Sequence, residues 1–203
     1  MRFYHKGLEM DVPDSVYYPR EDSLLMAGVL EKEKAENCLE IGCGSGFLSI
    51  LAAKTSAVTD VTAVDINEKA VEATKKNAKK NNVKLKAFVS DLFSSINDSY
   101  DLIVFNSPYL PTQTDDQVSS GKFEDKQWSG GIKVIEKFIQ QAKNHLNKNG
   151  KILLLISSLT GEKEVLELFH NNNFNVRVIA RERVPWEELM VVEAVPDKFK
   201  YVV

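Results

Sequence analysis

From about Cys38 onward the chain alternates short apolar, β-branched runs with stretches of helical periodicity, and this alternation constrains the fold more than any single residue does. The strand-like runs are Cys38–Ile41, Val61–Val64, Lys86–Val89, Leu102–Phe105, Lys151–Ile156, Asn175–Ala180 and Leu189–Ala194. Helical patterns fall at Phe47–Lys54, Asn67–Asn81, Ile132–Leu146 and Thr160–Asn171. Strands separated by helices need crossover connections, so most of them are expected to lie parallel in one sheet with helices on both faces. The last two runs follow each other with no helix between them, which predicts an antiparallel hairpin at the C-terminal end. The expected class is therefore α/β, with a seven-stranded, mostly parallel sheet. A length of 203 residues without a Pro/Gly-rich linker suits one domain over 1–203. Residues 1–36 form its N-terminal cover, whose helix over Ser23–Lys34 is placed across the mouth of the sheet.

Composition excludes several functions. No apolar run reaches the roughly 18 residues of a membrane span, and Met1–Lys6 lacks the apolar stretch of a secretory signal, so a cytoplasmic protein is expected. Cys38 and Cys43 have no His or Cys nearby at ligand spacing, which makes them structural thiols and leaves no metal site to expect. A net charge of −3 offers polyphosphate no global attraction. His5, His145 and His170 read as surface or helix residues.

Two segments carry chemistry. Asn106-Ser107-Pro108-Tyr109 ends the fourth strand-like run and suits a planar amide or amino group. The Asn oxygen and the following backbone carbonyl can accept both hydrogens of one NH2, while the Tyr ring packs on its flat face. The aperiodic stretch Pro111–Gly131 begins almost directly after this segment and reads as a mobile lid or substrate platform, or else as plain disorder. The second segment is Glu40-Ile41-Gly42-Cys43-Gly44-Ser45-Gly46, where Gly42, Gly44 and Gly46 let the backbone turn sharply between a strand and a helix, close to a ligand. A carboxylate at Glu40 repels pyrophosphate and attracts ammonium, favouring an amino-acid-bearing nucleoside over a dinucleotide. Asp65 ends the next strand, where an acid accepts ribose hydroxyls or else caps the following helix. Asp91 and Leu92 follow the third, suited to an adenine amine and its ring or to an ordinary turn.

Together these residues resemble the class I S-adenosylmethionine-dependent methyltransferases, with their Rossmann-like fold, and the tetrapeptide narrows the resemblance to enzymes acting on planar NH2 nitrogens. Tyr18-Pro19-Arg20-Glu21-Asp22-Ser23-Leu24-Leu25, Trp128-Ser129-Gly130-Gly131 and Arg183-Val184-Pro185-Trp186-Glu187 are similar to the HemK-like release-factor glutamine methyltransferases, in their short archaeal and eukaryotic branch. The resemblance covers the chain from about Tyr17. It implies methyl transfer from S-adenosyl-L-methionine, leaving S-adenosyl-L-homocysteine, to the glutamine of the Gly-Gly-Gln loop in class I release factors. By position, Ser23, Glu40, Gly42, Gly44, Gly46, Asp65, Ile66, Asp91, Leu92 and Asn106 would hold the donor. Asn106, Ser107, Pro108 and Tyr109, with Leu110, would hold the substrate amide and carry catalysis by direct in-line transfer. The family pattern is usually Asn-Pro-Pro-Tyr; Ser107 departs from it, and the lost proline predicts a less rigid segment.

The same grip fits an adenine amino group, so DNA or RNA adenine methylation is the alternative. The acidic charge and the lack of a segment long enough for a base-flipping domain weigh against it. The lysines at 75, 76, 79, 80, 84 and 86 read as a solvated helix face or a local basic patch. A donor-binding scaffold without activity is a third reading, opposed by the intact Asn106 and Tyr109. The resemblance also implies a small zinc-ribbon activator as partner. Lys84–Val89, an expected edge strand with alternating lysines, is its docking candidate or else a lysine-protected edge.

Overall fold

The computed structural model describes residues 1–54, 58–108 and 129–197, with backbone alone at 129 and 130. Strands β1 (Arg2–His5) and β2 (Leu8–Asp11) precede helix α1 (Glu21–Leu30). Then follow β3 (Ala35–Ile41), α2 (Phe47–Lys54), β4 (Val58–Asp65), α3 (Glu68–Lys80), β5 (Lys86–Val89) and β6 (Tyr100–Asn106). The remainder is α4 (Ser129–Ala142), β7 (Leu146–Ser157), α5 (Glu162–Asn171), β8 (Phe174–Val184) and β9 (Glu187–Pro196). Seven strands form one sheet in the order β5-β4-β3-β6-β7-β9-β8. β5 through β7 pair in parallel, whereas β9 is antiparallel to both β7 and β8. The expected mixed sheet and its C-terminal hairpin are both present.

Alternation along the strands builds two cores. Cys38, Leu102, Val104, Leu153 and Leu155 face α1, α2 and α3 through Met26, Leu30, Phe47, Ile50 and Ala78. Leu39, Ile41, Ile103, Phe105, Ile152 and Leu154 face α4 and α5 through Ile135, Phe138, Ile139, Val165 and Phe169. Strands buried on both faces read as continuous apolar runs, which is why they stood out in the sequence.

The N-terminal hairpin β1–β2 was not among the expected strands. Its turn, Lys6-Gly7, places both residues at positive φ, 45° and 80°, the geometry that matches strand twist across a two-residue loop. Two asparagines one helical turn apart, Asn77 on α3 and Asn81 at its C-cap, serve as its next strand. Asn77 Oδ1 accepts from Asp11 N at 2.9 Å while its Nδ2 donates to Asp11 O at 3.0 Å. Asn81 repeats the exchange with Glu9, at 3.0 and 2.8 Å. Sites 9 and 11 project from the same edge of β2, and the two-residue strand repeat nearly equals one helical turn.

Several boundaries move. α1 begins at Glu21 and stops at Leu30, four residues short of the expected Lys34, where Lys32 and Glu33 turn back onto Val29 and Leu30. β3 starts at Ala35 rather than Cys38, because Asp101 Oδ2 accepts the N–H groups of Glu36 and Asn37, at 3.0 and 3.4 Å, while Ala35 pairs with Val58. The aperiodic stretch ends earlier than Gly131, since Ser129, Gly130 and Gly131 open α4; its other residues, with Tyr109, Leu110 and Trp128, lie outside the described ones. His5 sits on a strand, its side chain 20% exposed between Phe47 and Glu31, rather than on the surface or a helix. No helix among the described residues is long and apolar enough to cross a membrane.

Candidate active site

The strand order reverses between β3 and β6, and the carboxyl ends of these strands part there to open a cleft, as open α/β sheets do. A cavity of about 560 Å³ fills it. Its walls bring together nearly every described residue that the sequence pointed to: Ser23, Glu40, Gly42, Gly44, Asp65, Ile66, Asp91, Leu92, Asn106, Ser107 and Pro108. Gly46 is the exception. It does not line the cavity but packs against α3, where an added Cβ would lie 2.9 Å from Thr74 Cγ2 and 3.1 Å from its Cα, at φ +82°. Its glycine is required by helix packing and backbone conformation rather than by a ligand.

The glycine turn is held from three sides. Gly44 N donates to Asp65 Oδ2 at 2.9 Å, Cys43 N donates to Val64 O at 3.0 Å, and Asn77 Nδ2 donates to Ser45 O at 2.9 Å. The other Asp65 oxygen accepts from Asn67 N at 2.8 Å. Each oxygen keeps a second lone pair, so the carboxylate can brace the turn and still accept hydroxyls. Asn67 itself caps α3, accepting from Lys69 N at 3.0 Å, so the capping role weighed for Asp65 belongs to its neighbour. Ile66, 70% exposed, and Leu92, at φ +48°, both line the cavity beyond Asp65.

Glu40 meets the cavity with little of its surface. Only 3% exposed, it accepts from Ser49 N at 2.8 Å and from the Ser49 hydroxyl, both on α2. Burial pushes its carboxyl up to about 8; the Ser49 hydrogen bonds offset part of the rise, and Asp65 adds to it. Burial likewise raises the thiols of Cys38 and Cys43 far above their ordinary range, which removes both as nucleophiles. The carboxylates of Asp22, Asp65 and Asp91 and the carboxyl of Glu40 line the cavity against one ammonium among the described residues, Lys137. This balance favours a cationic ligand over a phosphate.

At the far wall, Asn106 Nδ2 donates to Asp22 Oδ2 at 3.0 Å and to Ser23 Oγ at 3.3 Å. Its Oδ1 is buried and has no partner among the described residues. A buried carbonyl left unsatisfied is costly, so this oxygen has acceptor capacity to spare beside the cavity. The hydroxyl of Ser107 donates to Leu155 O at 2.8 Å and is fully enclosed on β7's side, so the residue that replaces proline is pinned by a hydrogen bond instead of by a ring. The loss of rigidity expected at Ser107 is offset in this way.

Sequence reasoning missed Asp22, although it stands inside a quoted segment, one residue before Ser23. It is 2% exposed, and besides Asn106 it accepts from Tyr17 Oη at 3.0 Å, Ser23 N at 2.6 Å and Ser23 Oγ at 3.2 Å. An acid in the first turn of a helix was a visible signal, but it reads equally as a dipole partner. Ser49 and Lys137 were missed as well, and nothing local in the sequence marks either one.

Comparison with known proteins gives a consistent result. The Methyltransferase small domain model matches residues 21–183. A Methanocaldococcus jannaschii protein whose name proposes a protein N5-glutamine methyltransferase is 42% identical over 190 residues, 93% of this chain and 96% of that one. The release factor glutamine methyltransferase of Streptococcus pneumoniae is 29% identical over 178 residues, 82% of this chain, which spans 62% of that enzyme's length. Among solved structures, the E. cuniculi Mtq2–Trm112 complex, described as responsible for the methylation of the eRF1 translation termination factor, superposes with a TM-score of 0.67 at 24% identity, over 90% of this chain and 99% of that one, and shares the fold. With the matched model spanning the sheet from α1 to β8 and the cleft at its reversal point, the chain belongs to the Methyltransferase small domain family.

Proposed function

We propose that the protein transfers a methyl group from S-adenosylmethionine to the side-chain amide nitrogen of a glutamine, the one in the Gly-Gly-Gln loop of a class I release factor. The observation that carries this reading is the orphaned Oδ1 of Asn106, a buried acceptor turned away from Asp22 at the wall of an acidic cavity. The names of the archaeal and streptococcal relatives support the same substrate group.

The residues present fit the donor. Glu40, ionised when an ammonium sits against it, offers negative charge to the amino-acid part, Asp65 lone pairs to a ribose, Asp91 an acceptor to an adenine amine, and Ile66 and Leu92 apolar surface to its ring. When bound, S-adenosylmethionine supplies an electrophilic methyl group. The chain's own residues then have three tasks. Asn106 Oδ1 and the backbone carbonyl that follows accept the two N–H bonds of the substrate amide, which polarises a nitrogen whose lone pair is otherwise delocalised. Asp22 and Ser23 hold the Asn106 amide so that its oxygen, not its NH2, meets the substrate. Ser107, tied to β7, fixes the direction of the segment, so the nitrogen is presented in line and orientation lowers the barrier. No protein nucleophile is used; the proton leaves to solvent after transfer.

β5 is the outer strand of the sheet, pairing only with β4 among the described residues, and its Val89 is 46% exposed. An edge of this kind accepts a strand of a second protein, and we assign Lys84–Val89 to a small zinc-ribbon activator. The Trm112-containing complex that shares the fold supports the existence of a small partner, while the exposed edge of β5 is what suggests its position.

The deciding experiment follows labelled methyl transfer to a recombinant release factor beside its glutamine-to-alanine variant, with and without the activator. Label on the first alone establishes the reaction. Label on RNA or DNA instead, with none on either release factor, replaces it with adenine methylation.

A further inference from the structure

We propose that Trp186, at the tip of the β8–β9 hairpin, is the anchor on which the folded protein carrying the substrate glutamine docks; this rests on the glutamine reading above. The strand register gives the position. Asn106 pairs with Leu155, Leu155 with Val191 and Val191 with Ala180, so Ala180 and Val191 stand level with the amide grip. The hairpin continues to the pair Val184 and Glu187 before it turns through Pro185 and Trp186. Trp186 lies five positions before Val191, roughly 16 Å at the rise of a strand. Trp186 therefore rises beyond the carboxyl edge on which the cavity opens. It does so on the β7 side, opposite the glycine turn, Asp65 and Asp91.

Two facts set this residue apart from an ordinary turn residue. The residue is 96% exposed, so the indole packs against none of the described residues. Its φ is +78°, a left-handed conformation after proline, where glycine or asparagine is the usual occupant. A large aromatic ring in water on a strained backbone gains nothing from the described residues, and an outlier of this kind points to a role in binding.

The hairpin is also braced directly beneath its tip. The Ser157 hydroxyl bonds to Glu187, Ser158 N donates to Glu188 O at 2.8 Å, and Glu188 N donates to Ser158 Oγ at 3.0 Å. Arg181 spans to Glu162 on α5 at 2.5 Å and to Glu188 at 2.8 Å. β7 thus holds both the hairpin and, through Leu155 O, Ser107 of the grip. The indole and the amide acceptor are fixed in one frame, which lowers the ordering cost of docking.

The surroundings select the partner. Glu182, Glu187 and Glu188 flank the tip with Arg181 and Arg183, the last 90% exposed in its side chain, a mixed set that offers a phosphate backbone no cationic stripe and suits a protein rim around an apolar pocket. A point some 16 Å past the grip reaches the body of the domain that bears the loop rather than the glutamine itself.

The test uses the full-length protein with the activator, as wild type and as Trp186→Ala, Trp186→Gly and Trp186→Phe. Two quantities are read: kcat and KM for release-factor methylation, and the Kd of the glutamine-to-alanine release factor, which docks without presenting an amide. The Ala and Gly variants are expected to raise KM and Kd by about 10-fold to 100-fold while kcat stays within about twofold, with Phe regaining most of the loss. Trp186→Gly relieves the left-handed strain, so its melting temperature is expected to match or exceed wild type, separating docking from misfolding. Unchanged KM and Kd in both variants, or a loss confined to kcat, overturns the docking role while leaving glutamine methylation standing. A wild-type protein that labels RNA and no release factor overturns both.

Discussion

The amide of Asn106 is oriented by Asp22, its Nδ2 lying 3.0 Å from Asp22 Oδ2 across 84 residues of sequence. The reverse orientation would set a carbonyl oxygen against a carboxylate, so this pair decides which end of the asparagine meets the substrate. Asp22→Asn removes that bias, because an amide can face either end of Asn106. A fall in kcat of about 10-fold to 100-fold is expected, the worth of one hydrogen bond to a charged group. Donor affinity, read by titration calorimetry, should change far less than kcat, since Glu40, Asp65 and Asp91 are left in place. An equal loss in both would assign Asp22 to donor binding instead.

Ser107 stands where the resembling family has proline, and its hydroxyl bonds to Leu155 O. Ser107→Ala leaves that carbonyl without this donor in a buried place and is expected to cost about 1 kcal/mol of stability. Because the tether orients the grip, kcat should drop several-fold as well. Urea unfolding and initial-rate measurements on one preparation check both effects.

Glu40 supplies a pH dependence whose sign is fixed. Its folded pKa of about 8 lies above its ordinary value of 4.5, and burial is the main cause. The unfolded chain therefore releases this proton near 4.5 and the folded one only near 8. Its contribution is most favourable below 4.5, declines as pH rises from 4.5 to 8, and is flat above, with a slope of at most about 1.4 kcal/mol per pH unit. Glu40→Gln should flatten that slope when urea midpoints are compared at several pH values. In the wild type, S-adenosylhomocysteine should reduce it too, as its ammonium favours the ionised carboxylate.

Asn77 joins the N-terminal hairpin, α3 and the glycine turn through Asp11 and Ser45 O while only 1% exposed. Asn77→Ala leaves the buried Ser45 carbonyl and the partly buried Asp11 N–H and carbonyl without this partner, and a loss of about 3 kcal/mol is expected. Donor affinity should weaken with it, because Ser45 loses the bond that holds its carbonyl. Hydrogen exchange localised to β1 and β2 would show the hairpin releasing before the main sheet.

Much of this architecture was legible because its signals are local. Strands buried on both faces announce themselves as apolar runs, as at Leu102–Phe105 and Lys151–Ile156, and the glycine turn needs conformations that the residue names alone disclose. The convergence of Glu40, Asp65, Asp91 and Asn106 followed too, since parallel strands deliver their carboxyl ends to one edge. The hairpin β1–β2 was not legible: two four-residue strands are marginal by themselves and are held by Asn77 and Asn81, some 70 residues away, whose helix pattern gives no hint of pairing.

The sequence by itself thus determined the order of elements and the chemical types gathered at the sheet's edge, because periodicity and turn chemistry are properties of neighbours along the chain. Only the tertiary structure decided where those groups point. Packing of α2 turned Glu40 toward Ser49, α1 brought Asp22 to Asn106, and β7 took the hydroxyl of Ser107. Each is a directional hydrogen bond between distant segments, and its geometry exists only once the layers have closed around it.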